Sequence, residues 1–199
     1  MTTDRTVTQG RNLLWVLERA LDGGIRTIQL REKDLNGKSL QDLAIKVAAL
    51  CRRYDAELYI NDRIDLALAV DAAGVQLSNT SLPIEMARAL LGREKSIGVS
   101  THSAEEARSA ERSGADFILF GPVFFTPSKA HYGAPQGVAA LKEIVAEVAL
   151  PVYAIGGINA ANLAETMKSG AHGAALISAI MGAADPTSAA KTILNLLAR

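Results

Sequence analysis

Phe120-Gly121-Pro122-Val123-Phe124-Phe125-Thr126-Pro127-Ser128-Lys129 is the stretch from which the rest of the chain can be read. It follows an apolar run, Phe117 to Leu119, that reads as a buried strand, and it carries two prolines that cannot sit in a central strand. The chain therefore leaves a sheet here and presents Thr126, Ser128 and Lys129 at the sheet's edge. Two hydroxyls and an ammonium suit an anionic group; the alternative is an ordinary polar loop.

Outward from this stretch the same unit recurs. Upstream, Leu13, Leu14, Leu17, Ala20 and Leu21 fall at helical spacing and stop at Gly23-Gly24, which predicts a first helix with a glycine terminus. Thr27 to Leu30 reads as a strand, Ser39 to Tyr54 as a helix with Ser39 and Asp42 at capping-box-like spacing, Glu57 to Ile60 as a strand and Ile64 to Ala69 as a short helix. Then come strand Gly74 to Leu77, a helix from Pro83 to about Leu91, strand Ser96 to Ser100, and a helix capped by Ser103 with Glu106 three residues on. Downstream of the long loop the pattern is helix Val138 to Val148, strand Val152 to Ile155, helix Ala160 to Ser169, strand Gly173 to Ile177 and helix Pro186 to Leu197.

Short apolar strands alternating with amphipathic helices imply a parallel sheet covered on its faces. Seven strands and eight helices, beginning with a helix, leave one strand to be found for a closed (β/α)8 TIM barrel; Met1 to Asp4 is read as its stump. The expected fold is thus a (β/α)8 barrel, one domain over residues 1–199, with its first strand short or incomplete. A doubly wound open sheet is the alternative. A barrel edge left open by a short first strand would favour a homodimer.

Composition narrows the function. The chain has 199 residues and formal net charge zero, enough for a substantial core but without the basic field of a nucleic-acid binder. No apolar run approaches the roughly 20 residues of a membrane span, and Met-Thr-Thr-Asp-Arg lacks a secretory apolar segment, so a cytoplasmic location is expected. Cys51 has no partner cysteine and lies in a helical pattern, which predicts core packing; three scattered histidines argue against a zinc site.

In a barrel of this kind the active site lies where the strands end. After the strand ending at Leu30 come Arg31, Glu32 and Lys33, with Gln29 just inside; after Ile60 come Asn61, Asp62 and Arg63. After Leu77 come Ser78 to Ser81, after Val99 come Ser100, Thr101 and His102, and after Gly121 the Thr126, Ser128, Lys129 loop. Gly156-Gly157 follow Ile155, and Ile177-Ser178 close the last strand. Glycines there let backbone amides approach an anion, so Gly156, Gly157, Ile177 and Ser178 are candidates for a phosphate; a tight turn is the plainer reading of the glycines. Arg31, Lys33, Arg63 and Lys129 are expected to converge on one rim, balanced by an anionic ligand or by Glu32 and Asp62. His102 and His131 are the remaining acid-base candidates, nothing is expected of His172, and Trp15 is assigned to core or interface.

At these residues the sequence resembles the thiamin phosphate synthase and TenI superfamily. The resemblance rests on Gln-Leu-Arg-Glu-Lys at 29 to 33, Asn-Asp-Arg at 61 to 63, Gly-Val-Ser-Thr-His at 98 to 102, Phe-Gly-Pro-Val-Phe at 120 to 124 with Thr-Pro-Ser-Lys at 126 to 129, and Ala-Ile-Gly-Gly-Ile at 154 to 158. Thr3-Asp4-Arg5 looks like the family's segment at the end of the first strand, implying an N-terminus that starts part-way through it. The resemblance implies a transferase that joins a hydroxymethylpyrimidine diphosphate to a thiazole phosphate, diphosphate leaving first. It implies that Gln29, Arg31, Lys33, Asn61 and Lys129 hold the diphosphate and pyrimidine, and that Asp62 binds Mg²⁺. Ser100 would then lie near the reacting pyrimidine, with Arg31 and Lys129 acting on the leaving charge. Thr126, Ser128, Gly157, Ile177 and Ser178 would meet the thiazole phosphate. The chain departs from the synthases at Ser81, where they carry a second metal-binding aspartate, and at Gln76-Leu77-Ser78, where they usually read His-Leu-Gly. Gln76 and Ser81 look more like the TenI branch, implying a thiazole tautomerase; yet the proton-transfer histidine of that branch is Pro122 here. A paralogue that binds a phosphate ligand without chemistry is the third reading.

Overall fold

A computed structural model describes residues 1–78, 80–126 and 134–198. Its seven strands, β1 Thr27–Leu30, β2 Glu57–Asn61, β3 Gly74–Leu77, β4 Ser96–Thr101, β5 Phe117–Phe120, β6 Val152–Ile155 and β7 Gly173–Ala175, pair in parallel in chain order. Consecutive parallel neighbours joined by helical crossovers are the topology of a (β/α)8 barrel, as the alternation predicted, rather than of a doubly wound sheet, whose strand order reverses.

The missing strand is where the sequence placed it. Thr2 makes a parallel bridge to Gln29, with Gln29 N donating to Met1 O at 2.8 Å and Thr3 N to Gln29 O at 2.9 Å. On its other side Thr2 N donates to Leu176 O at 2.9 Å, just past β7. Residues 1–3 thus span the gap between β7 and β1. The open edge from which a homodimer was argued is occupied by the chain's own first residues.

The helices that cover the sheet are α1 Leu13–Asp22, α2 Gly37–Arg53, α3 Ile64–Ala69, α4 Ile84–Leu91, α5 Ala104–Arg112, α6 Gly137–Glu147, α7 Leu163–Met167, α8 Ser178–Met181 and α9 Pro186–Leu197. Against them pack alternate strand residues, Ile28, Leu30, Ile60, Val75, Ile97, Ile118 and Phe120, all essentially inaccessible. Each such burial contributes about 1.5–3 kcal/mol. Local chemistry sets the helix ends. Asn36 accepts from Ser39 N at 2.9 Å, so α2 begins two residues before the predicted Ser39. A turn closed by Asn159 and Asn162 side chains delays α7 to Leu163. The Ser103 cap is as read, its side chain accepting from Glu106 N. The strand predicted to run to Ile177 stops at Ala175, and α8, which the sequence reading lacked, follows. Trp15 is not core: it is 44% exposed, with the Arg11 guanidinium 5.7 Å from its ring. Among the described residues no helix is long and apolar enough to cross a membrane.

Cys51 is buried in α2, and burial pushes its thiol up to about 11. It is expected to resist a thiol reagent at pH 8 until the chain is unfolded by denaturant, a difference that absorbance of the released chromophore reads directly.

The remaining alternate residues turn into the barrel. Tyr59, Phe117 and Tyr153 stack edge to face there, with centroids 5.4 and 5.7 Å apart. Gly98 makes room for this packing, since a Cβ on it would lie 2.3 Å from both Gln76 Oε1 and Phe117 Cζ. Gly98→Ala should therefore cost about 1–3 kcal/mol of stability, seen as a lower midpoint in urea with an unchanged slope.

Candidate functional site

At the C-terminal ends of β1 and β2 the inward polar residues form one directed chain of hydrogen bonds. Thr2 Oγ1 donates to Gln29 Oε1 at 2.7 Å, Gln29 Nε2 to Asn61 Oδ1 at 3.0 Å, and Asn61 Nδ2 to Asp62 Oδ2 at 2.6 Å. Asp62 sits at φ 59°, a left-handed conformation that turns the chain out of β2. Its Oδ1 accepts from Ser78 N and Ser78 Oγ, both at 3.0 Å, and from Ser81 Oγ. The carboxylate is thus held by neutral donors, and among the described residues no cationic side chain pairs with it. A charge fixed in place but unneutralised is what a metal or cationic ligand site requires.

The cations of the rim are fewer than expected. Arg63 is not among them: its Nε and Nη2 reach Asp65 Oδ1 and Oδ2 at 2.8 and 2.5 Å, because a carboxylate two residues on, in the first turn of α3, is its nearest partner. Glu32 does not balance Arg31 and Lys33 either. It is buried and turned toward Arg5, whose backbone N lies 3.1 Å from both carboxylate oxygens and whose Nη1 lies 3.4 Å away. Arg5 also grips Asp34, Nη2 to Oδ2 at 2.6 Å, which holds the Asp34 carboxyl below its ordinary range. Arg31 and Lys33 are left without an acceptor for their side chains among the described residues, while Arg31 N is fixed by Thr3 Oγ1 at 2.9 Å. Lys129, Ser128 and His131 lie outside the described residues.

Ser100 is held by Gln76, whose Nε2 donates to Ser100 Oγ at 3.1 Å. Sequence reasoning singled out both but not their contact, which follows from the register Asn61↔Gln76↔Gly98.

The other half of the rim lies at the ends of β5, β6 and β7. Val123 N and Phe124 N donate to Ile155 O and Gly156 O at 2.9 and 3.0 Å, and Gln136 N returns to Pro122 O at 2.8 Å, so the loop that carries Thr126 leaves and re-enters at one place. Gly156 and Gly157 have φ of 100° and 68°; a Cβ on either would come within 2.6 Å of the Pro122 or Phe125 backbone. Their turn and their close packing are therefore real needs, and they coexist with the phosphate reading. Ile155 pairs with Ala175, which puts the Gly157 turn beside Ile177 and the exposed Ser178, where α8 begins with backbone N–H groups that have no intrahelical acceptor. His102 is structural: its Nδ1 meets Gly121 O and its backbone N donates to Glu106 Oε2 at 2.6 Å. His172 packs edge-on to Tyr153, 5.2 Å between centroids, ahead of β7.

As a metal site the donor set is lean. Among the described residues no group of three or more His, Cys, Asp or Glu side chains comes together. Asp62 with the Ser78 and Ser81 hydroxyls nevertheless fits Mg²⁺, which is commonly bound through one or two carboxylates with waters and substrate phosphates completing its shell.

Comparison with known proteins bears on which chemistry this rim serves. The family model described as thiamine monophosphate synthase matches residues 1–180. The chain is 50% identical over 195 residues to a putative thiamine-phosphate synthase of Geobacter sulfurreducens, covering 98% of this chain and 92% of that one. It is 44% identical over 196 residues to the thiamine-phosphate synthase of Desulfitobacterium hafniense, covering 98% and 95%. Among solved structures, thiamine phosphate pyrophosphorylase from Pyrococcus furiosus superposes with a TM-score of 0.90 at 38% identity, over 99% of this chain and 93% of that one.

Proposed function

The chain belongs to the thiamine monophosphate synthase family, and on that premise we propose that it is a transferase coupling hydroxymethylpyrimidine diphosphate to thiazole phosphate with release of diphosphate. The observation that carries the reading is Asp62, held by Asn61, Ser78 and Ser81 with no cation paired to it among the described residues, on a rim where the Arg31 and Lys33 side chains likewise have no partner among those residues. Unpaired charges of both signs on one rim suit a metal–diphosphate ligand, whose anionic oxygens meet the cations and whose metal meets the carboxylate.

Asp62 would hold the Mg²⁺, which when bound neutralises charge on the departing diphosphate. Arg31, Lys33 and Lys129 would bind the diphosphate oxygens, stabilising the charge that develops as the carbon–oxygen bond breaks. Gln29 and Asn61 would orient the pyrimidine diphosphate, and Ser100, fixed by Gln76, would face the pyrimidine near the bond that breaks. Gly157, Ile177 and Ser178, with Thr126 and Ser128, would take the thiazole phosphate and place its ring nitrogen for attack; positioning of this kind supplies much of the barrier reduction.

The tautomerase alternative gains nothing comparable. It needs a proton-transfer group at position 122, which is proline, and the nearby imidazole of His102 is engaged by Gly121 O. The two readings separate when each component is omitted in turn from purified protein, Mg²⁺, pyrimidine diphosphate and thiazole phosphate. A synthase releases one diphosphate per coupled product and none of the product without both substrates. Metal-independent proton exchange on the thiazole substrate alone would replace this reading with the tautomerase one.

A further inference from the structure

The chain of hydrogen bonds that ends on Asp62 has a direction, set by the carboxylate, which can only accept, and Thr2 closes its far end. An amide side chain presents an oxygen and an NH₂ that differ little in shape, so its neighbours decide which way it faces. A threonine hydroxyl inside a protein can donate or accept. Here it donates to Gln29 Oε1 at 2.7 Å, in a position 1% exposed, where no solvent competes. With Oε1 engaged, Gln29 Nε2 faces Asn61 Oδ1; with Oδ1 engaged, Asn61 Nδ2 faces Asp62 Oδ2. Reversing the Gln29 amide would set its Oε1 against Asn61 Oδ1 or, were Asn61 to turn with it, Asn61 Oδ1 against the Asp62 carboxylate. That is a buried repulsion in place of a hydrogen bond.

We propose that Thr2 is a positioning residue: its hydroxyl satisfies the buried Gln29 Oε1 and so anchors the Gln29 and Asn61 amides that steady the Asp62 carboxylate for a metal–diphosphate ligand. The barrel's degenerate first strand thereby has a part in the site that its three residues of sheet pairing do not require. The identity of the ligand rests on the synthase reading above. The backbone of Thr2 is tied separately to Leu176, next to the proposed thiazole phosphate loop. Removing only the hydroxyl therefore acts on one side of the site.

The test is calorimetric titration of the wild type, Thr2→Val and Thr2→Ser with Mg²⁺ plus inorganic diphosphate, and separately with thiazole phosphate. Groups that orient a metal ligand through hydrogen bonds change metal affinity by roughly tenfold or more, so Thr2→Val should weaken magnesium diphosphate by about tenfold. Thiazole phosphate should stay within about twofold, and Thr2→Ser, which keeps the donor, should match the wild type for both. Should Thr2→Val fail to fold, Thr2→Ala removes the same donor without the added methyl and is read the same way. Equal weakening of both ligands, no weakening of magnesium diphosphate, or no rescue by serine would overturn the proposal, as would a wild type that binds no magnesium diphosphate. A wild type that binds both ligands but forms no product would instead defeat the synthase reading, with the positioning role still judged by the titration.

Discussion

Asp62→Asn is expected to lower the coupling rate by about a thousandfold, the largest effect of any single substitution in this site. The change keeps size and shape, so the loss reports chemistry. Asp62 receives four donors, from Asn61, Ser78 N, Ser78 Oγ and Ser81. An asparagine can accept at only one end, and its NH₂ must face either the Asn61 NH₂ or the Ser78 N–H, neither of which can accept from it. The proposed Mg²⁺ site would lose at the same time the one carboxylate assigned to it, because Ser81 stands where the synthases carry a second and a hydroxyl is a much weaker Mg²⁺ ligand. Steady-state product formation at high Mg²⁺ measures the loss, and calorimetry should find thiazole phosphate binding within about twofold of the wild type. A loss below about tenfold would mean that Asp62 does not hold the metal.

Arg31→Ala is expected to cost about a hundredfold, through departure of the diphosphate. Arg31 N is held by Thr3, and the neighbouring Glu32 is drawn off by Arg5, so among the described residues no carboxylate pairs with the guanidinium. Lys33 stays behind in the variant, which is why the loss is smaller than at Asp62. Arg31→Lys should recover only part of it, because an ammonium cannot make the paired contacts of a planar guanidinium to phosphate oxygens. The rates of diphosphate release by the two variants, compared at saturating substrates, decide this; full activity in Arg31→Ala would assign the leaving-group role to Lys33 and Lys129.

What the sequence made legible was what repeats. Strand–helix alternation is written in local spacing, so the barrel and its strand ends could be placed, and with them Gln29, Arg31, Asn61, Asp62 and Ser100. Even the stump at residues 1–3 could be found, because a helix-first alternation leaves one strand unaccounted for. What could not be read were choices between distant partners. Glu32 and Arg5 are 27 residues apart, and nothing in either segment says that the carboxylate turns away from its cationic neighbours. Arg63 was misassigned for the opposite reason: its partner Asp65 is so near in sequence that the pair looks like two exposed charges. Thr2 gave no signal, since a threonine in a strand stump is ordinary until its contact with Gln29 is seen. The last strand was read two residues too long because Leu176 and Ile177 continue the apolar run of β7 while the backbone has already turned, and the one-turn helix α8 that follows went unassigned.

The most direct test of the account is product formation against Mg²⁺ concentration, for the wild type and for Ser81→Asp. The account predicts saturable, Mg²⁺-dependent coupling by the wild type, with half-saturation falling by about tenfold when Ser81→Asp supplies a second carboxylate. Coupling by the wild type that ignores Mg²⁺, or no coupling at any Mg²⁺ concentration, would contradict the claim that Asp62, with the substrate's own diphosphate, suffices to hold the metal.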